Sequence, residues 1–147
     1  MTTYSFLDTV VSMTGPGGVI NLGSGAGNTK EGIKIEAAED IDHMDIGADG
    51  TAMHSLHANK SGSISVYLQK TSPVNAQLQQ MYNFQTSSSA LHGQNVISVN
   101  NPVSGDKVLC QLVAFKKAVP LTYAEDAGMN EWVFNAGQID RVLGSQN

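Results

Sequence analysis

Charge is scarce in this 147-residue chain: Asp, Glu, Lys and Arg make up 14% of it, against about 25% in a typical soluble domain. A lone folded copy would be short of solvating surface, so the composition predicts a protein that hides much of its outside against other copies. Basic residues are scarcer than acidic ones, 8 against 13, giving a net charge of −5. That balance speaks against tight binding of DNA or RNA, which needs Lys and Arg to neutralise phosphates. With one cysteine, Cys110, there is no internal disulfide to expect. Set among Val108, Leu109, Leu112 and Val113, its side chain reads as a small buried hydrophobe, and a reducing cytosol suits it. No apolar run approaches the roughly 20 residues that span a membrane. The opening residues, Met1 to Asp8, lack the basic start and apolar stretch of a signal peptide.

Small polar residues fill the space that charge leaves. Gly (15), Ser (14), Asn (11) and Thr (9) account for a third of the chain. The length allows about 70% of the unfolded surface to be buried, so one domain over residues 1–147 needs no staple. No repeat or linker divides it. Alternation of period two dominates and predicts strands at 6–13, 19–22, 33–38, 63–69, 96–100, 107–116 and 131–135. Gly15-Pro16-Gly17-Gly18, Gly47-Ala48-Asp49-Gly50 and 101–106 read as turns. Residues 23–32 read as a flexible loop without core-forming side chains, and an acidic stretch runs through 41–46. The period changes once. Ser72 as N-cap and Pro73 at the first helical position predict a helix over about 73–85. Its apolar stripe is Val74, Leu78, Met81 and Tyr82. The expected fold is mainly β, an antiparallel sandwich or barrel with one α-helix.

Three groupings could suggest chemistry, and each is weak. His54-x-x-His57, near His43, Asp45 and Asp49, offers metal-ligand types, but strand geometry puts i and i+3 on opposite faces. The glycines from Gly23 to Gly27 precede Lys30 but lack the Gly-Lys-Ser/Thr succession of a phosphate loop. Six of the 13 acids fall between Glu36 and Asp49, without the aromatic residues that often line sugar sites. A solvated face explains such a run, and so does a surface that must repel polyanions.

Several segments carry a family resemblance. They are Tyr4-Ser5-Phe6-Leu7-Asp8, Thr14-Gly15-Pro16-Gly17-Gly18-Val19-Ile20, Ile46-Gly47-Ala48-Asp49-Gly50, Met53-His54-Ser55-Leu56-His57-Ala58 and Lys60-Ser61-Gly62. Further along come Leu68-Gln69-Lys70-Thr71-Ser72-Pro73-Val74-Asn75-Ala76, Ala114-Phe115-Lys116-Lys117 and Glu131-Trp132-Val133-Phe134-Asn135-Ala136-Gly137. In this order, over nearly the whole chain, they resemble the tail tube proteins of contractile-tailed bacteriophages. The resemblance implies a structural virion protein with a small β-sandwich or barrel and a flanking helix. It implies rings of six copies stacked into a hollow tube that DNA traverses without specific binding. A sheath and tail-end proteins are the implied partners, with no catalysis, cofactor, metal or membrane, and with synthesis in the host cytoplasm. Related expectations are a tube-end or adaptor protein, or the tube of a tailocin or secretion-type injection system. A small metal-dependent or carbohydrate-active β protein is the reading from a different class. Within the tube picture, Glu36, Glu39, Asp40, Asp42 and Asp45 are candidates to line the lumen. Gly23, Gly25, Gly27, Asn28 and Lys30 are candidates for an inter-ring loop that orders on assembly.

Overall fold

In a computed structural model, residues 3–144 are described; Met1 and Thr2 of the opening segment, and the last three residues of the expected domain, lie outside them. A 3-10 turn at Phe6–Asp8 leads into β1 (Val10–Gly15), β2 (Gly18–Asn21), β3 (Asn28–Ala37), β4 (Asp42–Ile46), β5 (Ala52–Leu56) and β6 (Gly62–Gln69). The helix α1 (Val74–Gln85) follows, then β7 (Asn95–Asn101), β8 (Asp106–Phe115) and β9 (Met129–Val142). Seven strands form one antiparallel sheet in the order β2-β1-β7-β8-β9-β6-β3, while β4 and β5 pair only with each other. The architecture is thus one curled sheet, a half-barrel, with the helix on its concave side.

Alternation explains which face turns inward. Ile64, Val66 and Leu68 of β6 lie opposite Phe134, Trp132 and Asn130 of β9, and all are buried. Ser63, Ser65 and Tyr67 point the other way, as the pleat requires. The curl has a local cause. On β8, Cys110 and Val113 are both buried, and on β9 so are Ala136 and Ile139, so the inward set slips by one residue on both strands. At the slip Leu112 has φ +55°, and the β7–β8 register shifts between Asn95 and Ile97. Such a bulge bends and twists a sheet. Gly137 faces Leu112 there because a Cβ on it would stand 2.9 Å from the leucine Cβ.

On α1, Val74, Leu78 and Met81 are buried and Tyr82 is half-buried, its ring meeting Phe115 edge-on at 5.5 Å. Pro73 already has helical angles, and Ser72 Oγ accepts from the Val74 N–H at 3.2 Å. Gln85 ends the buried stripe. Its amide exchanges two hydrogen bonds of 2.7 Å with Asn95 and also donates to the Pro16 carbonyl at 2.8 Å. Gly15 makes room for this lock, since a Cβ there would lie 1.8 Å from Asn95 Oδ1. The lock ties together the helix end, β7 and the β1–β2 turn.

Three expectations are corrected. Residues 6–8 form a 3-10 turn, not strand, because Ser5 Oγ caps them by accepting from the Leu7 N–H at 3.2 Å. The strand expected over 131–135 runs on to Val142, since β8 continues alongside it. The 23–32 segment is not a free loop. Asn28 to Gly32 begin β3, Gly23 and Ala26 are buried, and Gly27 accepts from the Gln69 N–H at 2.8 Å. Ser72 holds the same turn by donating to the Ala26 carbonyl.

Candidate assembly surfaces

Among the described residues nothing covers the convex face of the sheet. It carries Lys34 and Glu36 of β3, Ser63, Ser65 and Tyr67 of β6, Glu131, Val133 and Asn135 of β9, and Ala114 of β8. Most of these side chains are short and uncharged, and its charges are partly matched. Lys34 Nζ lies 2.5 Å from Glu36 Oε1, and this contact raises the lysine pKa. Glu131 sits across the strands from Tyr67 and raises the phenol pKa by accepting its hydroxyl, with burial adding to the effect. The strands at the ends of the order, β2 and β3, each have one unpaired edge within the described sheet. Free edges of this kind are ready to pair with another chain.

The β4–β5 ribbon is a second surface. Register puts Asp42, Met44, Ile46, Ala52, His54 and Leu56 on one face and His43, Asp45, Met53 and Ser55 on the other. Nearly every residue of it is exposed, Leu56 by 83%. His54 Nδ1 lies 3.0 Å from Asp42 Oδ2 on the first face, and His43 Nε2 lies 3.1 Å from Asp45 Oδ1 on the second. At the tip, Asp49 Oδ1 accepts from the Thr51 N–H at 3.0 Å, and the bonds to Thr51 lower the Asp49 pKa. A two-stranded hairpin is marginal in water by itself. One that also exposes Met44, Ile46 and Leu56 on a single face is built to be covered.

The third surface is a cleft of about 440 Å³ at the end of the half-barrel that α1 does not reach. Phe6, Val11, Ile33, Ile35, Val99 and Val108 line it, with Tyr4, Lys30 and Leu143 at its rim. Ile33, Ile35, Val99 and Val108 are only partly buried against the core.

The acidic residues read from the sequence do not form one patch. Glu36 lies on the convex face, Glu39 and Asp40 follow β3, and Asp42 and Asp45 sit on opposite faces of the ribbon. Of the loop candidates, Gly23 is buried, Gly25, Gly27 and Asn28 shape the turn into β3, and Lys30 is exposed at the cleft. His54 and His57 are not brought together with a third ligand; among the described residues no metal-binding set of three His, Cys, Asp or Glu occurs. Cys110 is fully buried, and desolvation pushes its thiol pKa up to about 11. Sequence reasoning missed β5 and read β4 only as an acidic stretch. The signal was the alternation of Ala52, His54 and Leu56 with Met53 and Ser55 just after a recognised turn.

This half-barrel with an appended ribbon recurs in solved structures of tail and injection-system particles. Solved structures similar to the chain include the tail of an empty GTA particle with C6 symmetry, at TM-score 0.61 and 15% identity, covering 97% of this chain and 100% of that one. A chain of an extracellular contractile injection system, the PVC sheath-tube complex in its extended state, gives TM-score 0.58 at 10% identity, with 96% and 92% covered. The tube-terminating cap of the anti-feeding prophage gives 0.57 at 10% identity, with 98% and 95% covered. No curated protein sequence matches the chain. Residues 1–144 match the bacteriophage PhiTE tail tube protein family, and the chain belongs to that family of tail structural proteins.

Proposed function

We propose that copies of this chain, each acting as one domain, join edge to edge into six-membered rings that stack into a hollow tube. The uncovered convex face lines the bore through which DNA leaves the particle. The observation that carries this reading is the sheet itself: one face carries the packed core, while the other is bare and nearly neutral between two free edges. In a ring the edges of neighbouring copies pair, and the bare face closes around a channel. Glu36 and Glu131 give that channel carboxylates, Lys34 is held by Glu36, and neither arrangement offers DNA a row of free cations. Glu39, Asp40 and the outward Asp45 add negative charge beside the bore, whereas Asp42, bonded to His54, goes with the ribbon's docking face. Gly25 and Lys30 remain on the outside, where a stacked ring meets them.

A sheath surrounds the tube, a reading supported by the likeness to a sheath-tube complex of an injection system. The role is structural, without catalysis or cofactor, and the subunit is made in the host cytoplasm before joining the particle. Electron microscopy of the purified protein tests this directly. Hollow stacked rings are expected, and a monodisperse monomer at high concentration would overturn the reading. Replacing Glu36, Glu39 and Asp40 with their amides should leave tubes intact but slow DNA ejection; unchanged kinetics would remove these acids from the bore. The likeness to a tube-terminating cap favours one second reading, an end ring. Assembly that stops at a single ring would select it.

A further inference from the structure

Residues 35–59 hold six acids and no lysine or arginine, yet three of the chain's four histidines. Histidine is the side chain that ordinarily gains or loses charge between pH 5 and 8. The only cations this acidic stretch can supply to itself are therefore protonated imidazoles. Two of them already meet carboxylates: His54 Nδ1 stands 3.0 Å from Asp42 Oδ2, and His43 Nε2 stands 3.1 Å from Asp45 Oδ1. The pleat separates the two pairs. Asp42 and His54 share their face with Met44, Ile46, Ala52 and Leu56, whereas His43 and Asp45 share theirs with Met53 and Ser55. We propose that covering the Met44/Ile46/Leu56 face draws a proton onto His54, so that mild acid favours assembly and rising pH weakens it. This rests on the tube reading above, in which that face leaves water, and gives the assembly a pH control.

While the ribbon is exposed, water solvates the Asp42 carboxylate whatever the charge of its partner. Once the face is covered, the two states of His54 are no longer equivalent. A neutral imidazole leaves a net negative charge among Met44, Ile46 and Leu56, out of water. An imidazolium makes a neutral, hydrogen-bonded pair there, the form that such surroundings tolerate. Nothing else on this face can take over that compensation. Asp42 and His54 are its only ionisable side chains, and among the described strands β4 and β5 pair only with each other. Asp40 and His57 flank the two strands, with the His57 N–H donating to the Ile41 carbonyl at 2.8 Å. Glu39, Lys60, Asp140 and Arg141 line a separate cleft at the ribbon's base, and Asp49 is engaged by Thr51 at its tip. The covered state thus holds a proton more tightly than the free one. By linkage, assembly is strongest at the acid side of the histidine range and weakens as pH rises through it.

The experiment measures the concentration of the full chain at half assembly, by sedimentation and electron microscopy, between pH 6 and pH 8 at fixed salt. For the unsubstituted protein it should rise about tenfold or more across that range. His54→Gln and Asp42→Asn should each abolish the rise: the first removes the proton acceptor, the second the charge that calls for a proton. His43→Gln, on the other face, and His92→Gln, outside the ribbon, should keep it. Asp42→Asn should also assemble at pH 8 at least as readily as the unsubstituted chain, which separates a lost titration from a damaged contact. A flat profile for the unsubstituted protein overturns the proposal and leaves the tube reading standing. So does a rise that survives in His54→Gln or Asp42→Asn, or one that disappears in His43→Gln. Absence of tubes and rings at every pH overturns both.

Discussion

Strand β6 and the β4–β5 ribbon are neighbours in sequence and opposites in surroundings. Both alternate. In β6 every second residue is buried, with Ile64, Val66 and Leu68 wholly removed from water. In the ribbon Met44, Ile46 and Leu56 hold equivalent places on one face and remain more than half exposed. The difference lies in what stands opposite. Strand β6 has β3 and β9 at its sides and turns its inward side chains into the core that α1 also joins, whereas the ribbon pairs only with itself. Apolar alternation therefore marks a face that gets buried, without saying whether the chain itself or another copy buries it.

If that contrast is right, equal truncations should read out differently in the two regions. Trp132→Ala should act most strongly. The indole is buried, donates to Asn75 Oδ1 at 2.9 Å and lies edge-on to Phe115. Its loss should lower unfolding free energy by about 3–5 kcal/mol in urea denaturation, while Leu56→Ala on the ribbon stays within about 0.5 kcal/mol. Gln85→Ala comes next. It leaves the buried Asn95 amide and Pro16 carbonyl without their partner, for a loss of about 1–3 kcal/mol. His54→Ala, which breaks an exposed pair, should be close to neutral for the isolated subunit. Ser72→Ala removes the helix cap and its bond to the Ala26 turn, costing about 1 kcal/mol by thermal melting.

A further effect concerns pH. Folding raises the Cys110 thiol from 9.0 to about 11, mainly by desolvation. The neutral thiol is thus favoured in the fold. This contribution is fully present below pH 9 and is lost as pH rises through 11. A Cys110→Ala variant should lose less stability than the unsubstituted protein between those limits. Identical alkaline declines would show that the thiol is solvated.

Much of the body was legible in the sequence because its signals are local. The 63–69 alternation, the helix with its Ser72 cap and the glycine turns each depend on residues a few positions apart. What was not legible depends on distant partners. The glycine-rich segment looked mobile, yet Ser72 and Gln69 fix it from more than 40 positions away. The acidic run looked like one patch, but the turn into the ribbon and the pleat send Glu36, Asp42 and Asp45 to different surfaces. The buried Gln85 on an otherwise amide-rich helix gave no sign of itself, since only the placement of Asn95 makes it an inward residue.

The claim that the body folds alone and the ribbon waits for a neighbour meets its most direct test in one variant, Met44→Ser, Ile46→Ser and Leu56→Ser together. Sedimentation with electron microscopy, run beside urea denaturation of the same sample, reads both halves at once. The account predicts that the substituted chain keeps the stability of the unsubstituted subunit but needs about a hundredfold or higher concentration to assemble, because three buried side chains are lost from each contact. Tubes that form at the usual concentration, or a subunit that unfolds, would contradict it.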